Sequence, residues 1–243
     1  MTATHVMSAT TFLDRYQHGE YLEVWDELQG YGPHVRHEPL WTDAIGVAAV
    51  TMQRVKNNLD RLVEHLTAMG YQFKHPQAIL LPPSPDVHDK LAYLEHHVGA
   101  LPLSLRAWYQ VVGSVDLNGA FPDWDARQYP DALVVDPIER AVRDYHEWKE
   151  SCKAYSKQEM GPYCLPVAPD AFYKAHGDGD TATYAIRLPS PTMDALLGDE
   201  PHHMTFVNYL RTCFKWGGFP GFEYVSNPPL HEITALTKDL TPF

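Results

Sequence analysis

Between residues 43 and 69 the chain carries an apolar repeat, Ile45, Ala48, Met52, Val55, Leu59, Leu62, Leu66 and Met69, spaced by three and four residues. That period places these side chains on one face of an α-helix. At 3.6 residues per turn the run makes a helix of about seven turns, roughly 40 Å long. Thr42 or Asp43 is positioned to cap its start, and Gly70 supplies a left-handed stop. An apolar stripe of this length must be covered, either by the rest of the fold or by a second subunit. Whatever else the chain forms has to be built around it.

Residues 10–28 are also helical, with Phe12, Leu13, Tyr16, Tyr21, Val24, Trp25 and Leu28 on recurring faces. Gly19 interrupts them and Gly30-Tyr31-Gly32-Pro33 ends them. Residues 74–85 are rich in proline, and Pro82-Pro83-Ser84-Pro85 has no helical interior. They read as a semi-rigid connector between an N-terminal helical region (1–73) and an α+β domain (86–243). Beyond it, Ser84-Pro85-Asp86 reads as a helix start, Leu91, Leu94 and Val98 as its stripe, and Gly99 as its stop. A helix follows over 101–112. Asn118-Gly119 is a two-residue hairpin signal, and 132–135 reads as a buried strand. Asp136-Pro137 opens a helix through Ile138, Val142, Tyr145 and Trp148. Two strands, 163–176 and 183–188, flank the turn 176–180, and helices over 205–214 and 229–240 close the chain. Helices first and then strands mixed with helices define an α+β class.

Composition excludes several functions. The formal net charge is −12, with no basic run, which argues against nucleic-acid binding. It favours encounter with a basic protein partner, although acidity also serves solubility. No apolar run approaches the roughly 18 residues of a membrane span. The opening MTATHVMSATTF lacks a secretory pattern, and Cys152, Cys164 and Cys213 are odd in number and widely spaced. These features give an expected cytoplasmic protein with reduced, mostly buried thiols.

The string Gly99, Leu101-Pro102, Leu105, Trp108-Tyr109 and Gly113-Ser114 resembles the SUKH superfamily, the Smi/Knr-like proteins. Asp131 with Leu133-Val134-Val135, and a later hairpin at Tyr184, extend the resemblance over about 91–222. It implies helices packed on a mainly antiparallel sheet. Many bacterial members are thought to be immunity proteins against polymorphic toxins, often nucleases, and others act as scaffolds. The resemblance brings no catalytic residues. Leu101, Leu105, Trp108 and Val112 read as core, and Gly113 and Gly119 as turns. Similarly, the glycines of Trp216-Gly217-Gly218-Phe219-Pro220-Gly221-Phe222 turn the chain while Phe219 and Phe222 fill the core.

No nucleophile elbow, phosphate loop, dinucleotide fingerprint or His-Glu-x-x-His pattern occurs. His176, Asp178 and Asp180 could offer metal ligands from one turn. They lack the Asp-x-Asp-x-Asp-Gly spacing and closing glutamate of a calcium loop, so a solvated turn is the plainer account and no cofactor is expected. Asp123, Trp124, Asp125, Tyr129 and Asp131 combine aromatic and acidic groups on one loop. They are the candidate surface for a basic partner such as a toxin domain, unless Trp124 folds back onto the sheet and the aspartates cap turns. The expected function is therefore non-enzymatic protein recognition. The alternatives are a metal-dependent hydrolase, or a scaffold that forms a homodimer through the long helix.

Overall fold

A computed structural model describes residues 10–122, 124, 131–154, 161–176 and 183–243. Helix α1 (Phe12–Gln17) opens on a capping box: the Asp14 N–H donates to Thr11 Oγ1 at 3.0 Å, and the Thr11 N–H donates to Asp14 Oδ2 at 3.3 Å. Helix α2 (Tyr21–Gly30) and a 3-10 turn (Gly32–Arg36) lead into α3 (Leu40–Ala68). The long helix starts ahead of its predicted cap. Pro39 holds the cap position, and Thr42 donates instead to Glu38 at 2.8 Å. Asp43 accepts the N–H of Phe12 at 2.8 Å, so it caps the neighbouring helix α1, whose first N–H groups have no partner within the helix.

Of the predicted stripe, Ala48, Met52, Val55, Leu59, Leu62 and Leu66 are buried, while Ile45 lies at its edge, 39% exposed. Its cover comes from the same chain: α1, α5 (Leu103–Val111) and α9 (Leu230–Thr237) all pack on α3. The opposite face of α3 carries polar side chains, among them Gln53, Asn57, Asp60, Arg61 and Glu64.

All sheet ladders among the described residues are antiparallel. Strand β1 (Gln72–Phe73) pairs with β4 (Gly119–Ala120), and β2 (Leu80–Leu81) pairs with β3 (Ser114–Asp116), which pairs in turn with β5 (Val134–Val135). The proline-rich stretch 74–85 thus contributes β2 to the central ladder. Asn118-Gly119 does not form the predicted hairpin. Asp116 Oδ1 accepts the Asn118 N–H at 2.9 Å and turns the chain out of β3, and β4 joins β1 instead. Here pairing with distant segments wins over the local turn preference.

Helix α4 (Val87–Val98) begins after the predicted Ser84-Pro85 start, because the Ser84 hydroxyl engages Asp86 and Lys90 rather than a helix N–H, and only its carbonyl accepts the Val87 N–H. Helix α6 (Ile138–Ala154) packs against α4 and against β6 (Cys164–Pro169), which pairs with β7 (Thr183–Arg187). The predicted strand over 163–176 ends early. Asp170 Oδ1 accepts the Tyr173 N–H at 2.7 Å and starts a short helix, α7 (Ala171–His176). Helix α8 (Phe206–Lys215), a 3-10 turn (Pro220–Tyr224) and α9 complete the fold.

The 99–114 string builds the junction between helix and sheet. Leu101, Leu105 and Trp108 are fully buried, and the Trp108 indole donates to Gly113 O at 2.9 Å. Gly113 stands at φ +93, where a Cβ would come within 2.2 Å of Leu81 O. Phe219 and Phe222 are buried as the sequence predicts. The fold is α+β, and no helix among the described residues is long and apolar enough to cross a membrane.

Candidate functional site: an aromatic cleft beside α6

The acidic loop picked from the sequence turns its described members inward. Asp123, Asp125 and Tyr129 lie outside the described residues. Trp124 is half-buried, and its ring meets Phe121, Phe219 and Phe222 edge-on at 5.0 Å and Tyr71 at 5.9 Å. Such T-shaped contacts match ring edges to ring faces and fix the base of the loop. Asp131 corrects the expectation of a surface carboxylate. It is 5% exposed at φ +48, pairs with Lys174 Nζ at 2.7 Å, and accepts the Tyr184 hydroxyl at 3.0 Å. The same ammonium lies 4.6 Å above the Tyr184 ring. Burial, and then the Asp131 charge, push the Tyr184 phenol well above its usual range.

The backbone of His176 ends α7, while Asp178 and Asp180 lie outside the described residues. Among the described residues no group of three or more His, Cys, Asp or Glu side chains could hold a metal ion. The cysteines are free, but only Cys213 is buried. Cys152 is half-buried and Cys164 exposed, because Cys164 begins an edge of the β6–β7 ladder.

Two further polar networks escaped the sequence reading. Asp194, 1% exposed, accepts the Ser104 hydroxyl at 2.6 Å and the Val207 N–H at 3.0 Å, while Gln29 bonds both its main-chain groups. The fully buried Glu200 takes the His202 N–H at 2.9 Å and lies 2.5 Å from His202 Nδ1. His202 Nε2 sits 2.8 Å from Glu223, at ion-pair distance but without hydrogen-bond alignment. These groups hold loops in place, and each is engaged by its own chain.

An open cleft of about 780 Å³ lies where the end of α4, one face of α6 and the β6–β7 ladder meet. On α6, Tyr145, Trp148, Lys149, Cys152 and Lys153 share a face because they recur at three and four residues. Tyr145 and Tyr163 form the buried floor, with ring centroids 5.6 Å apart, and Trp148 lies 5.3 Å from Tyr163. Val98, Leu188 and Pro189 complete the apolar wall. Tyr163 donates to Asp144 at 2.9 Å, which orients the phenol, and burial pushes that phenol up further than the neighbouring carboxylate does. Burial also raises the Asp144 carboxyl above its usual range, against the Tyr163 bond that lowers it.

At the rim, the His97 ring donates through Nδ1 to Tyr93 O at 2.8 Å, which fixes its tautomer. Lys153 pairs with Glu150 at 2.6 Å, whereas Lys149 makes no ion pair with a described residue. None of the described lining residues is a carboxylate, on a chain whose net charge is −12. The arrangement offers aromatic faces and cationic arms. Its sequence signal is the α6 periodicity, which above marks only a helix through Ile138, Val142, Tyr145 and Trp148.

No family model matches the chain, and neither a curated protein nor a solved structure matches it.

Proposed function

We propose that this chain is a non-enzymatic protein-recognition module of the SUKH, Smi/Knr-like kind, and in its most specific form a cytoplasmic immunity protein that neutralises a basic toxin domain. The observation that carries the reading is the open cleft with Tyr145, Trp148 and Tyr163. These are residue types that concentrate binding energy at interfaces. The acid groups Asp131, Asp194 and Glu200, which could support chemistry, are held by internal partners.

In this reading the negative surface speeds encounter with a basic partner, and the cleft receives an apolar or aromatic side chain from it. The lysine arms orient the inserted segment. The test is capture of the product of the adjacent gene at low and moderate salt. Binding that weakens about tenfold or more in Trp148→Ala, with the far-UV spectrum unchanged, is the expected result. No binding to any neighbouring product would overturn the immunity role.

A further inference from the structure

A second groove lies along α3, opposite the segment 236–243. On α3, Arg54, Asn58, Arg61 and His65 recur at four, three and four residues and so form one stripe. Each reaches a main-chain oxygen of that segment. Arg54 donates to Pro242 O at 3.2 Å, Asn58 to Thr241 O at 2.8 Å, Arg61 to Asp239 O, and His65 Nδ1 to Leu236 O at 3.1 Å. Asn58, itself 1% exposed, also accepts the Thr241 N–H at 2.9 Å. One side-chain amide thus engages both main-chain groups of a residue, as a neighbouring strand would. From the other wall, Arg211 on α8 donates to Phe243 O at 2.9 Å, and the Phe243 ring packs edge-on against Phe214 at 5.5 Å.

Several features set this groove apart from ordinary packing. The stripe reads main-chain atoms, so its grip depends little on the sequence of the occupant. The groove is incompletely filled, because it opens into a pocket of about 550 Å³ lined in part by Tyr21, Leu22, Phe214 and Lys215. Arg211 Nη2 is buried without an acceptor. The resident segment enters through Asp239 at φ +64, a left-handed conformation that non-glycine residues adopt with strain.

We propose that this groove is a peptide-binding site whose resident occupant, in cis, is the segment 239–243. In trans it takes an extended peptide of a partner, with an aromatic residue in the place of Phe243 and a carboxylate beyond it for the free Arg211 nitrogen. Arg54 and Arg211 supply the charge complementarity, against Glu23 in the pocket wall and the Asp26 and Asp194 charges that act on Arg211, while Lys215 is paired with Glu223 at 3.2 Å. The site is separate from the aromatic cleft and does not depend on the function proposed for it.

The test uses the full chain and a fluorescein-labelled peptide, Asp-Leu-Thr-Pro-Phe-Glu, followed by fluorescence anisotropy. Phe243→Ala weakens the resident segment and is expected to tighten peptide binding at least tenfold over the unsubstituted chain. Adding Asn58→Ala is expected to remove that gain. Equal binding by both chains, or none by either, would overturn the proposal. Native-state hydrogen exchange on the unsubstituted chain provides a second readout that needs no variant. The Thr241 amide is expected to exchange through a local opening while the Val55 and Leu59 amides in α3 stay protected. If Thr241 exchanges only together with α3, the segment is a fixed part of the fold and the proposal fails.

Discussion

A carboxylate removed from water persists in a fold only where donors replace the lost hydration. Asp194 has the Ser104 hydroxyl and the Val207 N–H. Burial still dominates and raises its pKa, and the Ser104 bond works in the opposite direction. Because the folded pKa is raised, Asp194 favours the fold least when ionised. Its unfavourable contribution grows as pH rises above the usual carboxylate range. Ser104→Ala removes a bond to the charged form and raises that pKa further. The substitution is expected to cost about 1–3 kcal/mol at neutral pH and measurably less at mildly acidic pH, as read from urea midpoints at the two conditions. A cost independent of pH would show that Asp194 is protonated throughout. Asp131 and Lys174 form a second buried pair. Lys174→Met leaves the buried Asp131 with the Tyr184 hydroxyl but without its cation, so a loss of about 3–5 kcal/mol is expected, largely recovered when Asp131→Asn is added. If the double variant is no more stable than the single, the pair is not what holds this region. At this scale the sequence displays the polar residues but not their burial. The partner of Asp131 lies 43 positions away, so Asp131 looked like a loop carboxylate.

At the scale of elements, the helices were legible because their signal is local. The spacing of α3 and α5 predicts which faces are buried, and six of the eight α3 stripe positions are buried. The β6–β7 ladder was legible as two strands around a turn, but the others were not, because β3 draws its partners from 80–81 and 134–135, and β4 draws its partner from 72–73. The segment 171–176 carries aromatic residues that suit a strand, yet one cap at Asp170 makes it a helix. Nothing near the stripe Arg54, Asn58, Arg61 and His65 in sequence announces the chain that covers it, because its partners lie more than 170 residues away. The junction between α5 and β3 supplies the test for this scale. Gly113 combines φ +93 with the 2.2 Å approach to Leu81 O. Gly113→Ala therefore meets backbone rather than a side chain that can move, and a loss of about 3 kcal/mol is expected from strain and overpacking together. Urea unfolding measures it, and a loss below about 1 kcal/mol would show that β2 can shift away from the junction.

For the whole molecule, the proline-rich stretch suggested a connector between two parts, but the structure stitches across it. Helix α5 lies on α3, β2 stands in the central ladder, and α9 returns to α3. Polar links cross the same division. Gln29 bonds both main-chain groups of Asp194, at 3.0 and 2.7 Å, and Arg36 reaches Leu101 O and lies 3.8 Å from Glu95. Detaching residues 1–73 would expose the buried positions of the α3 stripe together with Leu103 and Ala107 on the facing side of α5. At about 25 cal/mol per Å² of apolar surface, exposing several such side chains costs as much as the total stability of a typical domain. The two parts are therefore expected to unfold together. Tryptophan emission reports Trp25 in α2 as well as Trp108 in α5, and far-UV ellipticity reports the helices of both parts. Their urea transitions are expected to coincide in one step. Two separated transitions, with α3 lost before the β6–β7 ladder, would show that the helical region is an attachment rather than half of the core.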